Sequence, residues 1–112
     1  MKLSPEDYDL LTVFSLKGDF AGEDTANAFR SAAQERLEQR IRDVVLDMTH
    51  VEAIDSHGLE SILWLQDTCA EKLGQVRMAA VQETVTEILR LTRLAARFDC
   101  HDDIDTAIKS LR

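Results

Sequence analysis

The alternation of apolar and polar positions divides the chain into short strands and amphipathic helices. Apolar residues at helical spacing over residues 24–41 form one stripe, which consists of Ala26, Phe29, Ala33, Leu37 and Ile41. Residues 44–46 form a short apolar run bounded by charge, which is typical of a central strand covered on both faces. A second helix is predicted over residues 56–73. Gly74 follows it, at the position where helices often end with a glycine in the left-handed conformation. The pattern also predicts strands over residues 10–16, 76–81 and 97–100, and helices over residues 83–92 and 102–111.

Short strands that alternate with helices predict an α/β domain with right-handed crossovers. We expect a single domain over residues 1–112, with a mixed sheet of four to five strands and about four helices. The residues before Pro5 are compatible with a short edge strand. The turn before Ser56 follows a predicted strand, at the sheet edge where partners of open α/β sheets usually bind.

Ser56 opens the second long helix, and two interpretations of this serine follow from the residues alone. It is either the cap of the helix, a role that Asp55 could fill one residue earlier, or a carrier of phosphate. An anionic group is stabilised at a helix N-terminus because the first backbone N–H groups lack partners within the helix. Without further information the cap is favoured.

Residues 47–49 and 55–59 resemble the signature of STAS domains, the family of bacterial anti-sigma factor antagonists. Those proteins carry an Asp-x-Ser segment at a strand end and an Asp-Ser-x-Gly-Leu segment that opens the next helix. The corresponding segments here are Asp-Met-Thr and Asp-Ser-His-Gly-Leu. Residues 16–20, 74–78 and 102–108 resemble the early strand, the fourth strand and the closing helix of the family. The resemblance covers nearly the whole chain and implies the STAS fold.

This resemblance implies that Ser56 accepts phosphate from a partner kinase. In the implied switch, the unphosphorylated protein binds an anti-sigma factor with serine kinase activity, phosphorylation ends the binding, and a serine phosphatase restores it. The chain has no glycine-rich phosphate loop or catalytic lysine motif, so we expect a kinase substrate and not an enzyme. The alternative is a STAS scaffold or regulatory subunit without phosphorylation, for example in lipid transport. His57 favours that alternative slightly, because the family often has a small residue there.

The residues around Ser56 are candidates for the partner-binding surface, namely Asp55, Ser56, His57, Gly58, Glu60 and Trp64. Gly58 is expected either to allow close approach of the partner or the phosphate, or to be a simple spacer. Trp64 lies off the predicted apolar face of its helix, which comprises Leu59, Ile62, Leu63, Cys69, Ala70 and Leu73. Tryptophan is enriched in interface hot spots, although it could instead pack against a neighbouring helix or the N-terminal segment.

Asp47 and Thr49 are expected to support the phosphoryl site. Asp47 would orient the loop or help to place Mg²⁺, and its alternative role is to cap the turn at the end of its strand. The sequence Asp55-Ser56-His57 contains the residue types of a hydrolase triad, but consecutive side chains diverge too strongly to build the relay.

The formal net charge of -8 argues against duplex DNA or anionic lipid as the main partner. The acidic surface either steers a basic or mixed-charge protein partner or simply aids solubility, and charge alone favours the second. No apolar run reaches membrane-spanning length, and the N-terminus lacks the apolar segment of a signal peptide, so a cytoplasmic location is expected. Cys69 and Cys100 are then expected to be reduced and buried.

The histidines and cysteines lack the paired spacing of zinc ligands, so neither a metal nor a cofactor is expected. His101 is assigned to the turn before the last helix.

Overall fold

The computed structural model describes residues 1–111, which form a five-stranded mixed sheet and four α-helices. The predicted α/β class, strand number and helix number are therefore confirmed. The strands are β1 (Lys2–Tyr8), β2 (Leu11–Lys17), β3 (Asp43–His50), β4 (Val76–Ala79) and β5 (Cys100–His101). The helices are α1 (Glu23–Glu38), α2 (Ser56–Glu71), α3 (Glu83–Leu91) and α4 (Ile104–Lys109), with a 3₁₀ turn at Ala95–Arg97.

The strands lie in the order β1-β2-β3-β4-β5, with β1 antiparallel to β2 and the other neighbours parallel. Each parallel strand is added on the same side of the previous one. Because such crossovers are right-handed, the connecting helices must share one face of the sheet. The main core lies on this face, where α1, α2 and α3 bury residues such as Phe29, Leu65 and Val85 against the sheet. We call it the main face.

The opposite face is covered by α4, and we call it the α4 face. Its small buried cluster consists of Val13, Val45, Ala79 and Ala107. Alternation along β3 divides the strand between the two faces: Val44, Leu46 and Met48 belong to the main core, whereas Val45 belongs to the α4 cluster.

Several predicted boundaries were wrong at element ends. β1 is longer than expected and passes through Pro5, which is tolerated because β1 is an edge strand and needs no N–H donor on its outer side. β3 extends to His50, four residues beyond the apolar run that predicted it. The last strand lies at Cys100–His101 instead of residues 97–100, so His101 belongs to β5 and not to a turn.

The buried face of α2 was predicted incorrectly at its C-terminal half. The observed buried residues are Gly58, Leu59, Ser61, Ile62, Leu65 and Cys69, so the face is rotated toward Ser61 and Leu65. Ala70 is exposed, and Leu73 is 88% exposed because α2 ends at Glu71 and Leu73 adopts a left-handed conformation with φ of 64°. Gly74 was expected to adopt that conformation, which lies instead one residue earlier.

Cys69 is buried as expected, but Cys100 is exposed, because it lies on the short strand β5 at the edge of the sheet. Its expected burial in the core was therefore wrong.

Candidate functional site

Asp55 is the cap of α2. Its backbone is extended, and one carboxylate oxygen, Oδ1, accepts a hydrogen bond from the Gly58 N–H at 3.1 Å. The other oxygen, Oδ2, accepts one from the Gly22 N–H at 2.9 Å, in the turn before α1. The same carboxylate therefore ties the starts of α1 and α2 together. Ser56 is the first residue of the helix and is exposed, so its hydroxyl is not needed for the cap.

The hydrogen bonds to Asp55 favour its ionised form. Burial by itself raises the pKa of Asp55, but the N–H donors of Gly22 and Gly58, together with His57, outweigh burial and hold the pKa below its usual value. The residue that precedes Ser56 is therefore a carboxylate at neutral pH.

Gly58 is buried against the turn that precedes α1. A Cβ atom at this position would lie 2.3 Å from the Phe20 carbonyl oxygen and 2.8 Å from Cγ1 of Ile54. The chain itself makes one such close approach, because the Phe20 carbonyl lies against Gly58, so this glycine is more than a spacer although its backbone dihedral is ordinary. The place of Gly58 at the partner-binding surface stays a prediction.

Asp47 and Thr49 bond to each other. Oδ1 of Asp47 accepts hydrogen bonds from the Thr49 N–H at 3.1 Å and from its hydroxyl at 2.6 Å. By the alternation of β3, both residues follow Val45 on the α4 face, whereas α2 packs on the main face. The capped turn at a strand end, which is the alternative role of Asp47, matches this geometry, because these side-chain hydrogen bonds join Asp47 to Thr49.

The loop between β3 and α2 is held by the start of α3. The Gln82 side chain donates a hydrogen bond to the Thr49 carbonyl at 2.7 Å, and the Thr84 hydroxyl donates one to the Glu52 carbonyl at 2.8 Å. These two residues and Gly22 were not among the predicted site residues. No local motif indicated Gln82 or Thr84, since their partners lie 32 or 33 residues away.

The outward side of α2 carries His57, Glu60 and Trp64, which share one stripe at helical spacing. His57 and Glu60 are exposed, whereas Trp64 is half-buried and packs against the core. The guanidinium carbon of Arg30 on α1 lies 5.9 Å from the centre of the Trp64 ring, within cation–π range. Packing on the neighbouring helix, given above as the alternative for Trp64, is thus present, although part of the ring still lines the surface groove between α1 and α2.

Among residues 1–111, no cluster of three or more histidine, cysteine or acidic side chains is arranged to hold a metal ion. Over the same residues, every helix is too short or too polar to cross a lipid bilayer.

The family model of the STAS domain matches residues 3–107 of this chain. The chain belongs to the STAS domain family. A search among curated protein sequences finds no match to it.

The STAS assignment agrees with the solved structures that this chain resembles. An anti-sigma factor antagonist from Mycobacterium paratuberculosis is 25% identical, with a TM-score of 0.79 over 99% of this chain and 93% of that one. The anti-sigma factor antagonist SpoIIAA in its unphosphorylated form has a TM-score of 0.83 at 15% identity, over 99% and 96% of the two chains. The phosphorylated form of SpoIIAA from Bacillus has a TM-score of 0.75 at 13% identity, over 99% and 100%.

A sulfate transporter family protein from Wolinella succinogenes also shares the fold. Its TM-score is 0.76 at 16% identity, over 93% of this chain and 86% of that one. The fold of this chain is therefore shared by anti-sigma factor antagonists and by a sulfate transporter family protein.

Proposed function

We propose that this STAS domain is an anti-sigma factor antagonist controlled by phosphorylation of Ser56. In its unphosphorylated form it binds an anti-sigma factor that is also a serine kinase, and so releases a sigma factor. Phosphate on Ser56 ends the binding, and a serine phosphatase restores it. The protein acts in the cytoplasm as the substrate of these enzymes and has no catalytic role of its own.

The observation that carries this proposal is the division of roles at the start of α2. Asp55 supplies the cap, which leaves the exposed hydroxyl of Ser56 available to a kinase. A kinase needs an accessible hydroxyl and supplies the nucleotide, metal and positioning groups itself. Phosphorylation of Ser56 therefore requires no unfolding of the helix.

The negative charge of a phosphate on Ser56 would act mainly on the bound partner. A phosphoserine carries about -1.5 to -2 charge at neutral pH. Asp55 already occupies the Gly58 N–H at the helix start, so this donor is not available to neutralise the phosphate. Glu60 lies one turn further along α2 and is exposed, which adds a second negative charge to the same region. A partner surface that fits the neutral hydroxyl of Ser56 would not accommodate this added negative charge.

The proposed partner-binding surface consists of Ser56 with His57, Glu60 and the exposed part of Trp64, and Asp55 and Gly58 support it by holding the start of α2 in place. The support for this surface is geometric, since these residues share the outward side of one helix. Asp47 and Thr49 would act on it only indirectly, by shaping the end of β3.

The first test is mass spectrometry of the protein isolated from its native cells, with and without phosphatase treatment. We expect a phosphopeptide that contains Ser56, which disappears in the Ser56→Ala variant and persists in Ser31→Ala, a control at an exposed serine of α1. A pull-down with Ser56→Ala should then capture the kinase, and Ser56→Asp should not. A residue 56 that stays unmodified in both growth and stress would contradict the switch.

The second candidate is a STAS scaffold or regulatory subunit that is never phosphorylated, for instance in a lipid-transport complex. Two observations favour it: the residue after Ser56 is a histidine instead of a small residue, and the fold also occurs in a sulfate transporter family protein. In that case Ser56→Ala and Ser56→Asp should capture the same partner.

A further inference from the structure

The two faces of the sheet are covered unequally. Three helices pack on the main face, whereas the α4 face is covered by a helix of six residues. α4 contacts mainly β3, β4 and β5, so the β1 and β2 side of this face remains open. An open groove runs between α4 and the hairpin of β1 and β2, and we call it the α4 groove. It lies on the opposite face of the sheet from α2 and its Ser56.

The α4 groove is continuous and largely apolar. One section, of about 420 Å³, is lined by Tyr8, Leu11, Val13, Ile104 and Ile108 together with polar side chains. A second section, of about 630 Å³, shares Tyr8, Leu11 and Ile108 with the first and ends at Leu111. Tyr8 is 52% exposed, although its ring borders this apolar floor. Apolar side chains that line an open groove are typical of a surface that receives another apolar element.

The rim of the α4 groove is acidic. Glu6 and Asp105 flank the first section, and Asp9 flanks the second. Among the described residues that line the groove, the cation is Arg42, and its guanidinium is already paired with Asp43 at 3.3 Å. The groove thus offers carboxylates around an apolar floor, which is complementary to lysine or arginine flanking an apolar stripe.

We propose that the α4 groove binds an amphipathic basic helix of a protein partner. The apolar stripe of this helix lies over Leu11, Ile104 and Ile108, and its lysine or arginine side chains pair with Glu6 and Asp105. Addition of a strand to the outer edge of β1 is a poorer mode, because Pro5 removes a backbone donor from that edge. Since Ser56 lies on α2, on the other face of the sheet, this binding is independent of the phosphorylation switch and would let one domain hold two partners.

The test uses a labelled synthetic amphipathic peptide of leucine and lysine, about four helical turns long. The control is the same peptide with glutamate in place of each lysine. Fluorescence anisotropy at about 0.15 M ionic strength limits non-specific attraction to the acidic protein. We expect saturable binding of the lysine peptide alone. Amide NMR shifts should map it to β1, β2 and α4.

Two charge-reversed double variants separate the groove from the net charge. Glu6→Lys with Asp105→Lys should raise Kd about tenfold or more, which corresponds to about 1.4 kcal/mol. Asp67→Lys with Glu71→Lys makes the same change in net charge on the exposed side of α2 and should leave Kd nearly unchanged. Tyr8→Ser should weaken binding without unfolding the domain, since Tyr8 is largely exposed, and Ser56→Asp should leave binding intact.

Four results would overturn the proposal. Equal losses of peptide affinity in both double variants would show that only net charge matters. Amide NMR shifts confined to α2 would show that the peptide binds outside the α4 groove. Absence of saturable binding would exclude the basic helix as the occupant of the groove. Concentration-dependent dimerisation that Tyr8→Ser abolishes would also exclude it and would assign the groove to another copy of this chain.

Discussion

Individual residues at the start of α2 perform separate tasks that the primary structure places side by side. Asp55 accepts two backbone hydrogen bonds, Ser56 presents its hydroxyl to solvent, and Gly58 lets the Phe20 carbonyl approach the helix. Since these tasks are distinct, each can be removed without removing the others.

Asp55→Ala should lower the free energy of unfolding by about 1 to 2 kcal/mol, because the α2 cap and the bond to Gly22 are both lost. Ser56→Ala, the matched control one residue later, should change stability by less than about 0.5 kcal/mol. Urea unfolding followed by circular dichroism measures both. A larger loss in Ser56→Ala would mean that the serine takes part in the cap.

The pH dependence of stability should contain a contribution from Asp55. Because its folded pKa is lowered, the contribution is complete above the unfolded pKa of about 3.9 and is lost as pH falls through the folded value. Asp103, which caps α4, has its pKa lowered by hydrogen bonds from Thr106 and acts in the same direction. Asp55→Asn keeps a capping oxygen but cannot titrate. Its stability deficit should therefore shrink below about pH 4, and a deficit that stays constant with pH would contradict the assignment.

Gly58→Ala should lower the free energy of unfolding by about 1 to 3 kcal/mol, since the new methyl group would overlap the Phe20 carbonyl. To relieve this overlap, the start of α2 would have to move away from the turn before α1. Ala70→Gly tests glycine against alanine at an exposed position of the same helix, where the cost is only the helix propensity of about 1 kcal/mol. Wild-type stability in Gly58→Ala would show that the turn can move away freely.

At the scale of elements, the helices end in a way that side-chain identity did not indicate. After α2, the Gly74 N–H donates to the Cys69 carbonyl and the Leu73 N–H donates to the Ala70 carbonyl, which together form a Schellman motif. The left-handed residue is Leu73, with φ of 64°. Gly74 is needed for another reason: a Cβ atom there would lie 1.9 Å from the Arg42 carbonyl oxygen. The glycine serves the approach to the chain before β3, and the leucine bears the strained backbone.

Leu73→Gly should therefore stabilise the domain. The left-handed conformation costs a non-glycine residue about 1 to 2 kcal/mol, whereas glycine costs about 0.5 to 1 kcal/mol through the entropy of the unfolded chain. Little burial is lost, because Leu73 is 88% exposed. We expect a net gain of about 0.5 to 1 kcal/mol in thermal or urea unfolding. Leu91→Gly, at an exposed leucine within α3, should destabilise instead, and a gain in both variants would refute the explanation.

At the scale of the whole molecule, the sheet separates a thickly covered main face from a thinly covered α4 face. The same layering sets the accessibility of the thiols. Cys69 lies in the main core, and burial raises its thiol pKa to about 12. Cys100 is exposed on β5, although partial burial of its sulfur and the nearby Asp99 raise its pKa as well.

A thiol reagent should thus modify the native protein only at Cys100, and slowly, because the thiolate is the reacting form and a raised pKa makes it scarce. Both thiols should react after denaturation. Cys100→Ser should abolish the native reaction, while Cys69→Ser leaves it unchanged. Modification of Cys69 in native protein would imply that the main core opens on the timescale of the reagent.

The amino-acid sequence determined the order and type of most elements, because hydrophobic periodicity is a local property. The stripe of Ala26, Phe29, Ala33 and Leu37 in α1 and the STAS signature were recognisable from short segments. The position of Ser56 at a helix start was also predicted correctly for the same reason.

Only the tertiary structure decided which role each residue at that helix start performs. Asp55, and not Ser56, accepts the capping bond from the Gly58 N–H, and a second bond ties Asp55 to Gly22, which lies 33 residues away. Likewise, Gly58 faces Phe20, Trp64 lies beside Arg30, and Asp47 points to the α4 face, because distant elements pack or because the strand alternates. Local pattern specifies periodicity and turn propensity, whereas the partner of a polar group and the face of a helix depend on long-range packing.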